Sequence, residues 1–205
     1  MPKQVDSAER REIIADAVFA LVAERGVEGA SLRNVAQRSG LNIGSVRHSV
    51  DGAEGMLVDA VRVMSERVEW RLRARAQDAA EGSRSGIDMA LDLLEEFLPL
   101  DDARRLEVTI WLAFTEYART HPQFREDLTT LLEGPREVAG LILQRAGVAD
   151  SRLGAELVAA AVDGLTIALL HTPDRLTRAE VRRLLTVQLE AAIGIDRGPV
   201  VDSEP

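Results

Sequence analysis

Residues 31–50, SLRNVAQRSGLNIGSVRHSV, constrain this chain more than any other stretch. They read as two short helices joined by a tight turn. Leu32, Val35 and Ala36 make one apolar face at helical spacing. Gly40 then ends the first helix, because glycine supplies the positive φ that other residues resist. Leu41 re-enters the core. Asn42 caps a second helix whose buried positions are Val46 and Val50. Ala36, ahead of the glycine, lets two helix backbones approach closely, and Val46 closes the angle after it. This is helix-turn-helix spacing, which lays the second helix in a DNA major groove. An ordinary hairpin within a helical bundle is the competing reading.

The flanks shift the balance. Upstream, Ile13, Ile14, Ala17, Val18, Leu21 and Val22 recur at helical spacing up to Gly26, a C-terminal glycine. Downstream, Asp51 with Glu54 is close to a capping box for a further helix. Residues 10–57, RREIIADAVFALVAERGVEGASLRNVAQRSGLNIGSVRHSVDGAEGML, resemble the TetR family of bacterial transcription regulators. The pattern of such regulators runs Ala-Glu-Arg-Gly, then Thr/Ser-hydrophobic-Arg-polar-hydrophobic-Ala, then Gly-hydrophobic-Ser-x-Gly. All three pieces are present. The resemblance implies a DNA-binding head, a homodimer on a palindromic operator, and release by a small-molecule effector.

In that frame Ser31 caps the first helix of the pair and faces a phosphate, with Arg33 beside it. Asn42, Ile43, Gly44, Ser45, Arg47 and His48 form the exposed, DNA-facing side of the second. The chain departs from the family where Ile43 replaces a usual Lys, Arg47 a usual Tyr, Val50 a Phe and Ala53 a Lys. Two cations are missing and one is gained, so base preference should differ. A helical small-molecule or protein binding module that has lost operator binding is the alternative these departures leave.

A net charge of −9 fits DNA poorly until it is divided. Residues 1–50 carry Lys3, Arg10, Arg11, Arg25, Arg33, Arg38 and Arg47 against Asp6, Glu9, Glu12, Asp16, Glu24 and Glu28, a balance of +1. The other residues therefore hold −10. Such asymmetry orients the head toward DNA. No uninterrupted apolar run approaches the ~18 residues that span a bilayer. MPKQVDSAERR lacks an apolar signal region, so a cytoplasmic location is expected. With no cysteine, disulfides, thiolate metal sites and cysteine nucleophiles are excluded.

Periodicity predicts an all-α chain of about nine helices. The expected division is a head over 1–52, an effector-binding and dimerisation domain over 53–195, and a disordered tail from 196 to 205. Helices are expected to about 79, then over 87–98, 102–119, 124–146, from 151 to before Pro173, and from Thr177 to about 194. Residues 81–86 read as a loop. Pro135 should kink or split the helix that contains it.

The 151–172 helix is apolar almost all round, so it must be buried on more than one side. In TetR-like proteins the last helix pair forms a four-helix bundle with its mate. Val158, Val162, Leu165, Leu169, Leu185 and Leu189 are the expected joint. Three of the seven aromatics fall within seven residues. Trp111, Phe114 and Tyr117 share a helix face, and Phe97 lies on the preceding helix. The resemblance places an effector pocket among these middle helices. Ring faces with the nearby carboxylates of Glu107 and Glu116 would suit an apolar or cationic ligand. LPLDDARRLEVTIWLAF is also similar to the effector domain of the choline-responsive regulators, a likeness that does not identify the effector. Plain core packing is the competing reading for each aromatic.

Enzyme chemistry finds no support. His48, His121 and His171 lack metal-ligand spacing, and there is no phosphate loop or nucleophile elbow. No cofactor or metal is expected. Glu95–Glu96 and Asp101–Asp102 read as solvated acids on helix faces or caps.

Overall fold

Apolar residues at spacings of three and four, interrupted by glycines that take up positive φ, set this architecture. Gly26, Gly40, Gly52 and Gly147 all lie between φ 72° and 84°, each at a helix junction. The computed structural model describes residues 7–81 and 86–195. Among the described residues there are nine α-helices and no strand. They are α1 (Ser7–Arg25), α2 (Leu32–Ser39), α3 (Ile43–Ser49), α4 (Gly52–Glu81), α5 (Gly86–Leu94), α6 (Asp102–Thr120), α7 (Arg125–Arg145), α8 (Ser151–His171) and α9 (Arg178–Ile195). Short 3-10 turns stand at Val27–Gly29, Glu95–Phe97, Pro122–Phe124 and Pro173–Arg175. Most of the loop expected over 81–86, and the tail expected from 196, lie outside the described residues.

The chain divides into two compact units. The first comprises the described residues up to Trp70 with Leu106–Leu131. Ile14, Val18, Phe19 and Val22 of α1 pack with Val35 of α2, Val46 of α3, and Met56, Val63 and Met64 of α4. The boundary expected between 52 and 53 therefore falls inside this unit, because α4 fills the same core as the helix-turn-helix. Arg11 binds Glu66 through both carboxylate oxygens at 2.6 and 3.0 Å. Arg67 reaches Glu12, and Asp16 at 2.8 Å, with its guanidinium 5.3 Å from the Phe19 ring centroid. These exposed pairs orient α1 on α4 more than they stabilise it, since each contributes only ~0–1 kcal/mol.

The second unit comprises Arg71–Arg105 with the described residues from Leu132 onward. Its core joins Leu91, Leu94 and Leu98 to Leu143, Val158, Val162, Leu185 and Leu189. Thr177 and Glu180 form the expected reciprocal cap of α9. The Thr177 N–H donates to Glu180 Oε2 at 2.8 Å, and the Glu180 N–H donates to Thr177 Oγ1 at 3.3 Å. Gly154 is required by packing: a Cβ there would stand 2.8 Å from Leu143 Cδ1 and 3.3 Å from Ala192 Cβ.

Two expectations are corrected. Of the kink or split expected at Pro135, the split does not occur; α7 runs unbroken from Arg125 to Arg145. The ring is buried, and the Arg136 guanidinium donates to the Leu132 carbonyl in the same turn. Tertiary packing thus outweighs the lost backbone bond. Among the described residues, α8 alone is long and apolar enough by composition to cross a bilayer, with mean hydropathy 1.8 although no single run looked long enough. Its inner face nonetheless forms protein core, through Ala155, Val158, Ala159, Val162 and Leu169.

Candidate nucleic-acid interface

The helix-turn-helix is built by local chemistry at three points. Ser31 has extended backbone, and its Oγ accepts from the Asn34 N–H at 3.2 Å. Asn34 Nδ2 in turn donates to the Gly29 carbonyl at 2.9 Å, tying the start of α2 to the preceding turn. Gly40 ends α2 at φ 72°, ψ 6°, the left-handed conformation expected there. Asn42 Oδ1 accepts from the Ser45 N–H at 2.7 Å and so opens α3. Val35 and Val46 are fully buried and Ala36 nearly so, which locks α3 onto α2 and α1.

That packing decides which side of α3 faces outward. Asn42, Ile43, Gly44, Arg47 and His48 are exposed, as are Ser31 and Arg33 at the start of α2. Ile43 is 40% exposed, high for an isoleucine. Ser45, expected on the same face, is half-buried, and its carbonyl accepts from Ser49 Oγ at 3.0 Å. It belongs to the seam between inner and outer faces. Carboxylates near the head are drawn into ion pairs. The Arg38 hydrogen bond holds Glu24 below its ordinary range, and the Arg11 bond does the same for Glu66.

The aromatic residues of α6 are distributed unequally. Phe114 is 2% exposed and meets Phe124 edge-on at 5.7 Å, so it is core. Trp111 and Tyr117 are half-buried against the first unit's core. Tyr117 stacks on His121 at 3.8 Å and 15°, and His121 Nδ1 lies 2.8 Å from the Tyr117 carbonyl oxygen. Sequence reasoning missed this stack, though a tyrosine four residues before His121 at a helix end was the available signal. Glu107 is buried, whereas Glu116 is exposed and bound to Arg119 at 2.7 and 3.0 Å. Phe97 belongs to the second unit, where its ring edge lies 3.2 Å from the Cβ position of Gly134. A side chain at 134 would press on that ring.

In the second unit, Val158, Val162, Leu169, Leu185 and Leu189 are almost wholly buried within the one chain, and Leu165 packs against them. Five of the six residues expected at the joint thus belong to the chain's own core, and Leu165 is half-buried. The same two helices instead expose Leu153, Leu157 and Ile167 on α8, and Leu184 and Val187 on α9. Helical spacing joins these into one apolar strip on the outer face of the most extensively packed helix pair.

Glu95 and Glu96, expected to be solvated, are buried. Glu95 accepts from Arg178 at 2.6 Å and Arg182 at 3.1 Å. Glu96 accepts from Arg71 at 2.9 Å and Arg75 at 3.0 Å, with Arg104 at 3.7 Å. One 3-10 turn thus binds the second half of α4 on one side and α9 on the other. Adjacent acids do point apart, but each points at arginines rather than water.

Comparison with known proteins agrees with this geometry. Residues 86–194 match the model of the C-terminal domain of BetI-type transcriptional repressors. The chain is 31% identical over 198 residues to the HTH-type transcriptional regulator PksA of Bacillus subtilis, covering 93% of each. It is similar to the crystal structure of a transcriptional regulator from Rhodococcus sp. Rha1, at 28% identity and TM-score 0.77, over 90% of this chain and 96% of that one. It is also similar to the multidrug binding protein EbrR complexed with imidazole, at 26% identity and TM-score 0.62, over 92% of this chain and 93% of that one.

Proposed function

Since the chain belongs to the TetR family of transcription regulators, we propose that it is a repressor that grips a palindromic operator as a homodimer and lets go when a small molecule binds. The observation that carries the proposal is the capped α2–α3 pair. Its two side-chain caps and left-handed glycine fix α3 with Ile43, Gly44, Arg47 and His48 outward. A helix so presented reads base edges in a major groove. Ile43 offers no hydrogen bond, so it packs on a thymine methyl, and Arg47 supplies the charge-bearing contact.

One head touches only a few base pairs, so useful selectivity needs two. The exposed strip of α8 and α9 supports a two-fold joint, in which the same patch meets itself. For the effector, the half-buried rings of Trp111 and Tyr117 favour a small apolar or cationic molecule. EbrR, a relative described as multidrug binding, holds imidazole in its structure. The effector acts only if it binds better to one arrangement of the heads than to the other.

Selection of bound sequences from random DNA tests this reading. Inverted repeats with half-sites ~34–36 Å apart are expected, and a metabolite panel should contain a compound that abolishes enrichment. Enrichment of no sequence by the full chain would refute operator reading.

A further inference from the structure

A cavity of about 280 Å³ lies within the first unit, between the first half of α1, the end of α3 and the first half of α4. Its floor is apolar. Ile14 and Ala60 are buried there, and Val50, just after α3, is half-buried. Its mouth is polar, with Arg10 and Arg11 on α1, Asp59 on α4 and the exposed His48 on the last turn of α3. An apolar floor with a few polar groups at the mouth is the form small-molecule sites take.

Three observations narrow what fits. The first is size. An engineered cavity of ~150 Å³ in another protein holds benzene, so a space about twice as large has room for two fused rings. The second is charge. The mouth carries both signs, so an anion would meet the Asp59 carboxylate and a cation would meet the guanidinium groups of Arg10 and Arg11. A neutral molecule meets neither penalty. The third is hydrogen bonding. Asp59 is half-buried, and its ion-pair partner Arg62 stands 3.7 Å away, beyond hydrogen-bond reach. The carboxylate therefore offers an acceptor to a donor that enters the cavity.

We propose that this cavity is a small-molecule site in the reading head, and that it takes a neutral two-ring aromatic molecule with one N–H donor, of the indole kind. The rings lie on Ile14, Val50 and Ala60, and the N–H donates to the Asp59 carboxylate. The site is built from α1, α3 and α4 and does not use the rings of α6. A molecule seated there ends beside His48, on the side α3 offers to DNA. This last step rests on the operator-binding reading: the molecule and the operator exclude each other.

Methyl NMR of the full chain, titrated with indole, tests the site. The resonances of Ile14, Val50 and Ala60 should move and saturate with a Kd of ~1 mM or tighter. N-methylindole, which lacks the donor, should bind about tenfold more weakly or worse. In Asp59→Ala the two compounds should bind alike. Ala60→Leu fills the floor and should weaken both, and thermal melting of each variant reports the fold. No saturable shift overturns the site, and so do shifts confined to methyls of α6 near Trp111. Equal binding of indole and N-methylindole to the parent overturns the role of Asp59 whether or not Ala60→Leu folds. Fluorescence anisotropy with the duplex enriched from random DNA tests the exclusion. Saturating indole should weaken duplex binding about fivefold or more, and the duplex should weaken indole binding by the same factor. Unchanged duplex affinity at saturating indole overturns the exclusion. A parent that shows the methyl shifts but binds no duplex overturns operator reading and supports the site.

Discussion

At the scale of single residues, Arg47 carries most of what distinguishes this reading head. It is exposed on the outer face of α3, where Ile43 beside it offers only apolar contact. Arg47→Ala should therefore reduce operator affinity. If the guanidinium is bidentate to a guanine, the loss is ~1–3 kcal/mol and preference relaxes at one position per half-site. If it meets phosphate, the loss is equal for all sequences and the salt slope falls. Anisotropy on matched and mismatched duplexes separates the two, and unchanged affinity contradicts both. The caps at Ser31 and Asn42 and the turn at Gly40 were legible in the sequence because each depends on atoms within three residues. The half-burial of Ser45 was not, because it depends on how far α3 is rotated against α1 and α2, which no local pattern records.

At the scale of elements, the turn carrying Glu95 and Glu96 ties the second half of α4 and all of α9 to one point. The Glu96 side chain is 3% exposed and faces Arg71, Arg75 and Arg104. Removing the buried carboxylate leaves partly exposed arginine donors without their acceptor and costs ~1–3 kcal/mol. Glu96→Ala should lower unfolding free energy by that order in urea, and a change under ~0.5 kcal/mol would contradict the burial described. Asp163 on α8 presents the opposite case. Burial pushes its carboxyl above the ordinary range, although Arg136 at 3.8 Å pulls it back. The folded chain then holds that proton more tightly than the unfolded chain does. Stability from this group is complete below the ordinary aspartate range and is lost as pH rises through the raised folded value. Asp163→Asn should remove that loss and stabilise the chain at neutral pH, since Arg136 keeps Glu156 at 3.0 Å. Melting curves across pH test this; a variant advantage that grew toward acid would contradict it. Helix positions were legible from periodicity. Pro135 misled because buried packing carries α7 through it, and Glu95–Glu96 misled because adjacent carboxylates look solvated until their arginines, distant in sequence, are brought in.

At the scale of the molecule, the proposed operator reader needs two joined heads, and the exposed strip of α8 and α9 proposed as the joint is a face the sequence did not single out. An α8 that is apolar almost all round has apolar residues on both its inner and its outer side. Periodicity alone cannot say which stripe the chain keeps for its own core. Val158, Val162, Leu169, Leu185 and Leu189 are that core, and Leu153, Leu157, Ile167, Leu184 and Val187 remain outside. Glutamate at Leu157 and Leu184 would place like charges across a two-fold joint without disturbing the buried stripe. Sedimentation velocity of a fluorescent duplex carrying the enriched inverted repeat, with the parent chain and with the Leu157→Glu, Leu184→Glu variant, is the most direct measurement. Two parent chains should travel with each duplex, and the variant should remain monomeric and load weakly, one chain at a time. A parent that saturates the full repeat with a single chain, or a variant that loads in pairs as tightly as the parent, would contradict a dimeric reader joined through the outer faces of α8 and α9.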